Sequence, residues 1–498
     1  MRRIKPQFRP LKICSATALL MLLTGSVFCE TAPAEFVSLQ NDSGVWWFKS
    51  PAGKPFLSIG VNHVEPFYWQ SPNNKSFVLD TYGPDLFAPN ETFQDGSPAV
   101  EKWAQRVASN LTTWGFNTLG VHNPPSKSLR SAVRGYYVVE LGLPCNWGWN
   151  FQRSILVSAF KKKPLDVFDA SFTSAVQSQA AELVKPRAGD PQVLGYTYTD
   201  GPPWIIEDDS GSEDFQKLTV AEKIIHPWCL ALMSLPAEAN GKQVWLATMK
   251  GRYSSPEDAG ATYACKVSGW DELASTTAWT SISDSAKAAD DSLAFMEKIM
   301  RQWYEVRRDA IRQYDRNHLI LGDKLNMNRD SKCPDQLTRS LHVMRDYVDV
   351  IDIQYYAPFD TQRAVLALIY KESGKPILTG DTACCPLWKD ETSYDADFYH
   401  QMGKTYADDV TKLFSLPYFI GWHHCGYMRG LRREYVAALK RNDQKSIEYF
   451  KNKKLTYREG FFTEFEEPIE PILNALGPAI SNCENLHRAS TALDNNAK

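Results

Sequence analysis

Eight short apolar runs, each ending in polar or aromatic residues, recur along the chain: 55–62 (PFLSIGVN), 116–122 (FNTLGVH), 136–143 (YYVVELGL), 193–200 (VLGYTYTD), 318–326 (HLILGDKLN), 348–356 (VDVIDIQYY), 375–381 (KPILTGD) and 418–424 (YFIGWHH). Near-continuous apolar runs of this length suit parallel strands buried on both faces. Most are followed by a stretch of helical character, the pattern of a βα repeat. Eight such repeats predict an α/β fold of one kind, a (β/α)8 TIM barrel. Helices are expected over 99–114, 172–184, 291–314 and 397–416, and the last two set apolar residues three and four apart with charges opposite. Ahead of the first run, QNDSGVWWFKSPAGKPF reads as a hairpin across the barrel entrance, turning at Pro51-Ala52-Gly53. Residues 204–290, rich in Ser, Asp, Gly and Trp, form a large insertion after the fourth strand, expected as an elaborated loop with short helices that walls a cleft. A chain of 498 residues with 43% hydrophobic content can bury one core of this size.

In a barrel of this kind the chemistry sits where the strands end. The ends supply Asn62, His63 and Glu65, then His122 and Asn123, then Asp200, then Lys324, Asn326 and Asn328, then Gln354, Tyr355 and Tyr356, then Asp381, and finally Trp422, His423 and His424; Glu140 lies within the third run. Hydrogen-bonding amides and stacking rings around two acids are what a carbohydrate site needs. Glycoside cleavage takes one carboxylic acid to protonate the leaving oxygen and a second carboxylate to attack carbon or activate water. Asp200 and Asp381, on strands four and seven, face one another across an eight-stranded ring. Asp200 is expected to be the proton donor and Asp381 the nucleophile or base. Asn62, His63, His122, Asn123, Asn326, Tyr355, Trp422 and His423 are expected to position the sugar.

Plainer roles exist for several of these residues. Asp before Gly is a common turn pair, and Asp381 could cap the segment that follows it. Their places at the ends of buried strands favour the functional reading. Glu140 reads as a core carboxylate with substitute acid as its alternative, and Glu65 and Glu207 are loop reserves. Of Tyr355 and Tyr356, one should face the mouth and the other pack behind the barrel. His423 and His424 are neighbours on a strand and so point to opposite faces, which argues against a shared metal ion.

The net charge of -3, with both signs mixed, implies neither a nucleic acid nor an acidic membrane surface as partner. No phosphate-binding loop, dinucleotide turn or G-x-S-x-G elbow occurs, so no cofactor is expected. Basic residues Arg2 to Lys12 precede an apolar run over 13–28, too short for a comfortable bilayer span and the right length for a signal peptide. Residues 1–34 are therefore expected to be removed, leaving a secreted or periplasmic single domain over 35–498. Export permits disulfides among Cys145, Cys229, Cys265, Cys333, Cys384, Cys385, Cys425 and Cys483, whose spacing fixes no pairing.

Several segments resemble one family. VLGYTYTDGPPW looks like the strand-four segment of agarase-like clan A glycoside hydrolases, related to beta-agarases and beta-galactosidases; KGRYSS with the later GWDEL resembles their insert, DRNHLILGDK their "DPNHLYLG" strand, KPILTGD and FIGWHHCGY their last two strands, and GFFTEFEEPIEPIL their C-terminal segment. The resemblance runs from about Val45 to His487. It implies a TIM-barrel hydrolase of β-linked, galactose-containing agar- or carrageenan-type glycans. Members carry Asn-Glu at the end of strand four, with Glu as acid/base, where this chain has Asp200-Gly201; on strand seven their nucleophile is usually Glu, and here it is Asp381. Two shorter side chains are expected to widen the carboxylate gap toward the ~6.5–9.5 Å of inverting enzymes. A non-catalytic carbohydrate-binding barrel, left after loss of that Glu, is the alternative.

Overall fold

The computed structural model describes residues 35–64, 74–86, 93–142, 152–383, 396–453 and 456–490, all within the compact unit 34–498. Three short strands, β1 (Ser38–Asp42), β2 (Val45–Lys49) and β3 (Pro55–Phe56), form an antiparallel sheet. The barrel follows as β4 (Ser58–Val61), β5 (Thr118–Leu119), β6 (Tyr136–Glu140), β7 (Val193–Asp200), β8 (Leu319–Asn326), β9 (Ile351–Gln354), β10 (Ile377–Thr382) and β11 (Phe419–His424). These eight pair in parallel in sequence order, and β11 closes on β4. The chain is a (β/α)8 TIM barrel with an N-terminal hairpin and a large insertion after its fourth strand.

The first apolar run divides, because Pro55–Phe56 pairs antiparallel with β2 while Ser58–Val61 enters the barrel. Helices begin where polar caps stand. Ser97 accepts from Val100 N–H ahead of Pro98–Thr113, and Asp169 accepts from Ser171 N–H ahead of Ala170–Leu183. Asp284 caps the long helix Ser285–Tyr314, which therefore starts six residues before the expected 291. The fourth expected helix is Ala396–Phe414.

The hairpin does turn at Pro51-Ala52-Gly53, with Gly53 N–H bonded to Ser50 O, but it does not cross the entrance. Phe36 packs on His318 before β8, Phe56 stacks on Tyr136 at the start of β6, and Trp46 N–H bonds Pro417 O before β11. All three partners lie at the amino ends of barrel strands, so the sheet seals the floor opposite the site.

The insertion carries short helices, among them Pro227–Met233 and Asn240–Lys250. Trp204 stacks on Trp228 with ring centroids 5.7 Å apart, and Trp228 meets Phe160 of the helix Arg153–Lys162 and Trp303 of the long helix. This aromatic cluster anchors the insertion to the helical ring. Among the described residues no helix is long and apolar enough to cross a membrane. Cys229, Cys265, Cys333 and Cys483 are free thiols; residues 1–34, Glu65, Cys145, Cys384 and Cys385 lie outside the described residues.

Candidate active site

Alternation along β7 points Tyr196 and Tyr198 outward, where Tyr198 lies under the Arg307 guanidinium of the long helix. Strict alternation would send Asp200 outward too. The ladder to β8 pairs Thr197 with Gly322 and then Asp200 with Lys324, so β7 uses one more residue than its partner. That bulge turns Asp200 into the mouth. Gly201 follows at φ 58 with its N–H donating to Lys324 O at 2.8 Å. A turn this tight takes a left-handed residue, which glycine adopts without steric cost; the prolines after it then accept at their carbonyls, Pro202 from Arg329 and Pro203 facing His226.

Asp381 reaches the mouth by the same device. Thr379 pairs with Ile353 and Asp381 with the adjacent Gln354, so β10 also bulges. The residue between them is Gly380, where a Cβ would stand 2.2 Å from Asp352 Oδ1. Glycine is required for that approach, and Gly380 N–H donates to the same oxygen at 3.1 Å.

The two bulges bring the aspartates together. A carboxylate oxygen of Asp200, one of Asp381 and a ring nitrogen of His122 all lie within 4.8 Å of one another. Lys324 Nζ stands among them, 3.0 Å from Asp381 Oδ2, 3.4 Å from Asp200 Oδ1 and 3.2 Å from His122 Nε2. Three such donors cluster tightly enough for a metal ion, but the lysine ammonium already supplies the positive charge there, so we assign no metal. Asn62 donates to Asp381 Oδ1 at 3.0 Å and to Gly380 O at 2.8 Å, while its own Oδ1 accepts from Val121 N–H. His122 Nδ1 lies 3.2 Å from Glu140 Oε2, and Nε2 lies 3.4 Å from Asp200 Oδ2.

Charge sets the protonation states. Burial favours a neutral Asp381, but Lys324 and then His122 outweigh it and hold the carboxyl down at about 2. Burial acts the same way on Asp200, and Lys324 and His122 again win, keeping it well below the usual carboxylate range. Burial and Lys324 push His122 down, yet hydrogen bonds to Asp200 and Glu140 prevail and raise it to about 9. Burial would lower Lys324, but Asp381 and Asp200 raise it above the normal lysine range. Both aspartates are therefore anions at neutral pH, and the proton in the cluster resides on His122.

The residues expected to touch sugar divide into three groups. His63 and His122 stand at the mouth with their rings 4.7 Å apart, and half-buried Asn326 has an Oδ1 without a hydrogen-bond partner among the described residues. Asn62 and His423 are fully buried in the barrel interior, the latter with Nε2 2.8 Å from Ser58 Oγ, so they support the site from below. Asn123 is committed to Val64 N–H and Gly120 O, which hold the loop. Tyr355 is buried with its hydroxyl 3.5 Å from Thr361 O, and Trp422 packs on Tyr406 of the outer helix; both face away from the mouth. The tyrosine that faces it is Tyr356, which hydrogen-bonds Asp381 and Cys425. Glu140 is no core carboxylate either, since it is partly exposed and bonded to His122. One oxygen of each carboxylate lies within 4.8 Å of the other, short of the about 6.5–9.5 Å expected of an inverting pair. Both aspartates sit at register shifts of their strands, which turn them toward one another in the mouth.

No protein-family profile matches the chain. In sequence it is 21% identical over 390 residues, 70% of its length, to Beta-agarase A of Vibrio sp. (strain JT0107), of which it spans 37%. In fold it matches an exo-beta-agarase with a TM-score of 0.66 and 15% identity, covering 91% of this chain and 65% of that one. The chain resembles agarases. A second solved agarase, AgWH50C, gives a TM-score of 0.65 at 13% identity over 92% of this chain and 66% of its own. At these identities the structural likeness is one of fold. The agarase-like chain thus spans little more than a third of its curated relative.

Proposed function

We propose that this protein is an exported glycoside hydrolase, its residues 1–34 serving as the leader, that cleaves β-linked, galactose-containing polysaccharide or oligosaccharide of agar or carrageenan type with retention of configuration. The observation that carries this reading is the meeting of two carboxylates, one from each bulged strand end, within 4.8 Å at the mouth of an agarase-like barrel. Asp381 is the nucleophile. Its oxygens accept from Asn62 and Lys324, which fixes the attacking lone pair while keeping the group ionised. Lys324 also counters the negative charge of the pair, and the developing positive charge on the sugar ring faces Asp200, an anion at the rim. Asp200 held in this way lacks the proton its expected donor role requires.

Reducing-sugar release from agar, carrageenan and β-galactoside oligosaccharides tests the reading, with wild type beside Asp200→Asn and Asp381→Asn. Activity lost in Asp381→Asn and lowered in Asp200→Asn, with the first-formed anomer keeping the substrate's configuration by NMR, is the expected result. Inversion would remove Asp381 as nucleophile. A barrel that binds sugar without cutting it is the second reading, favoured by the Lys324 ammonium bonded to both carboxylates. Binding by calorimetry with silence across the panel would select it.

A further inference from the structure

Resting on the hydrolase reading, we propose that His122 is the catalytic acid and base of this site, donating from Nε2 to the leaving glycosidic oxygen, with Glu140 as the residue that positions it. The geometry carries this assignment. His122 leaves β5 at φ 61, a left-handed conformation uncommon outside glycine, and this turns its ring into the mouth. Glu140 Oε2 accepts both from the backbone N–H of His122 at 3.1 Å and from the Nδ1 edge at 3.2 Å, so one carboxylate fixes the left-handed backbone and the ring orientation together. A carboxylate on Nδ1 leaves Nε2 as the working nitrogen.

Nε2 has a partner in either protonation state. As imidazolium it donates toward Asp200 Oδ2 at 3.4 Å, and as neutral imidazole it accepts from Lys324 Nζ at 3.2 Å. A group that must give up a proton and take it back needs both. The charged groups facing the ring are Glu140 from β6, Asp200 from β7 and Lys324 from β8, with Asp381 from β10 held down by its charge and the His63 ring tilted against it. A cavity of about 340 Å³, lined by His122, Asn123 and Glu140 with Leu119, Leu129 and Leu141, opens beside it.

The steps balance. In the first, a lone pair of Asp381 closes on the anomeric carbon, the carbon–oxygen bond breaks with its electron pair leaving on oxygen, and the Nε2 proton joins that oxygen. In the second, water oxygen attacks the same carbon, one water proton passes to Nε2, and the Asp381 carboxylate departs. Forming the ester removes the Asp381 charge while Lys324 stays, so the imidazolium is less stabilised in the intermediate than in the free enzyme. The imidazolium, raised to about 9 in the free enzyme, therefore becomes a stronger acid as the ester forms and gives its proton to the leaving oxygen, and the neutral imidazole left behind is the base that takes the proton of the attacking water.

The test compares leaving groups. In His122→Asn, whose amide residue tolerates positive φ, kcat/KM on an unactivated β-galactosyl oligosaccharide should fall by roughly 10²–10⁴-fold. With a 2,4-dinitrophenyl β-galactoside, which needs no acid to leave, kcat/KM should stay within about tenfold, and azide should restore turnover with β-galactosyl azide as product. In Glu140→Gln the high-pH limb of kcat/KM, near 9 in wild type, should move to lower pH. Equal losses on both substrates, no azide product, or the leaving-group pattern appearing in Asp200→Asn instead would overturn the assignment while leaving the hydrolase reading intact. A wild type that cleaves neither glycoside overturns both. Should His122→Asn fail to fold, an unmoved pH limb in Glu140→Gln would still refute the proposal.

Discussion

Asp381 and Asp200 reach the same mouth by the same kind of bulge, yet 4% of the Asp381 side chain is exposed against 44% of that of Asp200. Asp381 is gripped by Asn62 and Lys324, and Asn62 is itself tied to Gly380 and Val121. Asp200 is held by longer contacts to His122 and Lys324 and leaves its strand through a left-handed glycine. Buried donors fix a charge in place and direction, which suits a nucleophile. A carboxylate at the rim retains its charge and adapts its position, which suits a group that supports a proton carrier. The asymmetry lies in the second layer of contacts rather than in the aspartates.

The comparison breaks most violently at Lys324, the buried cation common to both arms. Lys324→Met should destabilise the fold by about 3–5 kcal/mol at neutral pH, because it leaves Asp381 buried without its ionic partner. Chemical denaturation reads this, and the double variant with Asp381→Asn should recover part of the loss. Asp381→Asn alone should leave a folded protein whose turnover is lower by roughly four or more orders of magnitude, a loss on the scale seen for other removed nucleophiles. The pH dependence of stability distinguishes the arms. The Asp381 carboxyl lies below the ordinary aspartate value of 3.8, at about 2, so its contribution is complete above 3.8 and is lost as pH falls through about 2. His122 is raised from 6.5 to about 9, so the stability from its bonds to Asp200 and Glu140 is complete below 6.5 and is lost as pH rises through about 9. Denaturation of His122→Asn across that upper window should lack the second slope.

Eight apolar runs with polar ends carried the barrel, because burial of parallel strands on both faces writes itself into composition. The same rule named both aspartates, Lys324 and His122 as strand-end residues. It did not give their directions. Asp200 and Asp381 face inward only because β7 and β10 each bulge, and a bulge depends on the partner strand's register, which a single chain segment does not encode. The same gap misplaced Tyr355 for Tyr356 and set Trp422 at the sugar when it packs behind the barrel. Lys324 was named only as a strand-end residue; its bonds to both aspartates, the partners that a buried lysine requires, came from the structure. The hairpin sealed the floor rather than the entrance because its aromatic faces found the amino ends of β6 and β8, a tertiary choice absent from its own turn chemistry.

The rim arm gives the smaller effects. Gly201→Ala should cost about 1 kcal/mol, since alanine at φ 58 is strained, and because Gly201 N–H is bonded to Lys324 O it should also loosen the grip on Asp200. Asp200→Asn is the smallest in stability, below about 1 kcal/mol, because its ion pairs are long and open to water. Its kinetic signature is separate from its stability. Removing the anion at Nε2 takes away one of the two bonds that raise His122, so the high-pH limb of kcat/KM should move below its wild-type position near 9, while Lys324 still holds Asp381 ionised and the low-pH limb stays put. Should both limbs move together, Asp200 and Asp381 would titrate as one unit and the division between a fixed arm and a responsive arm would fail.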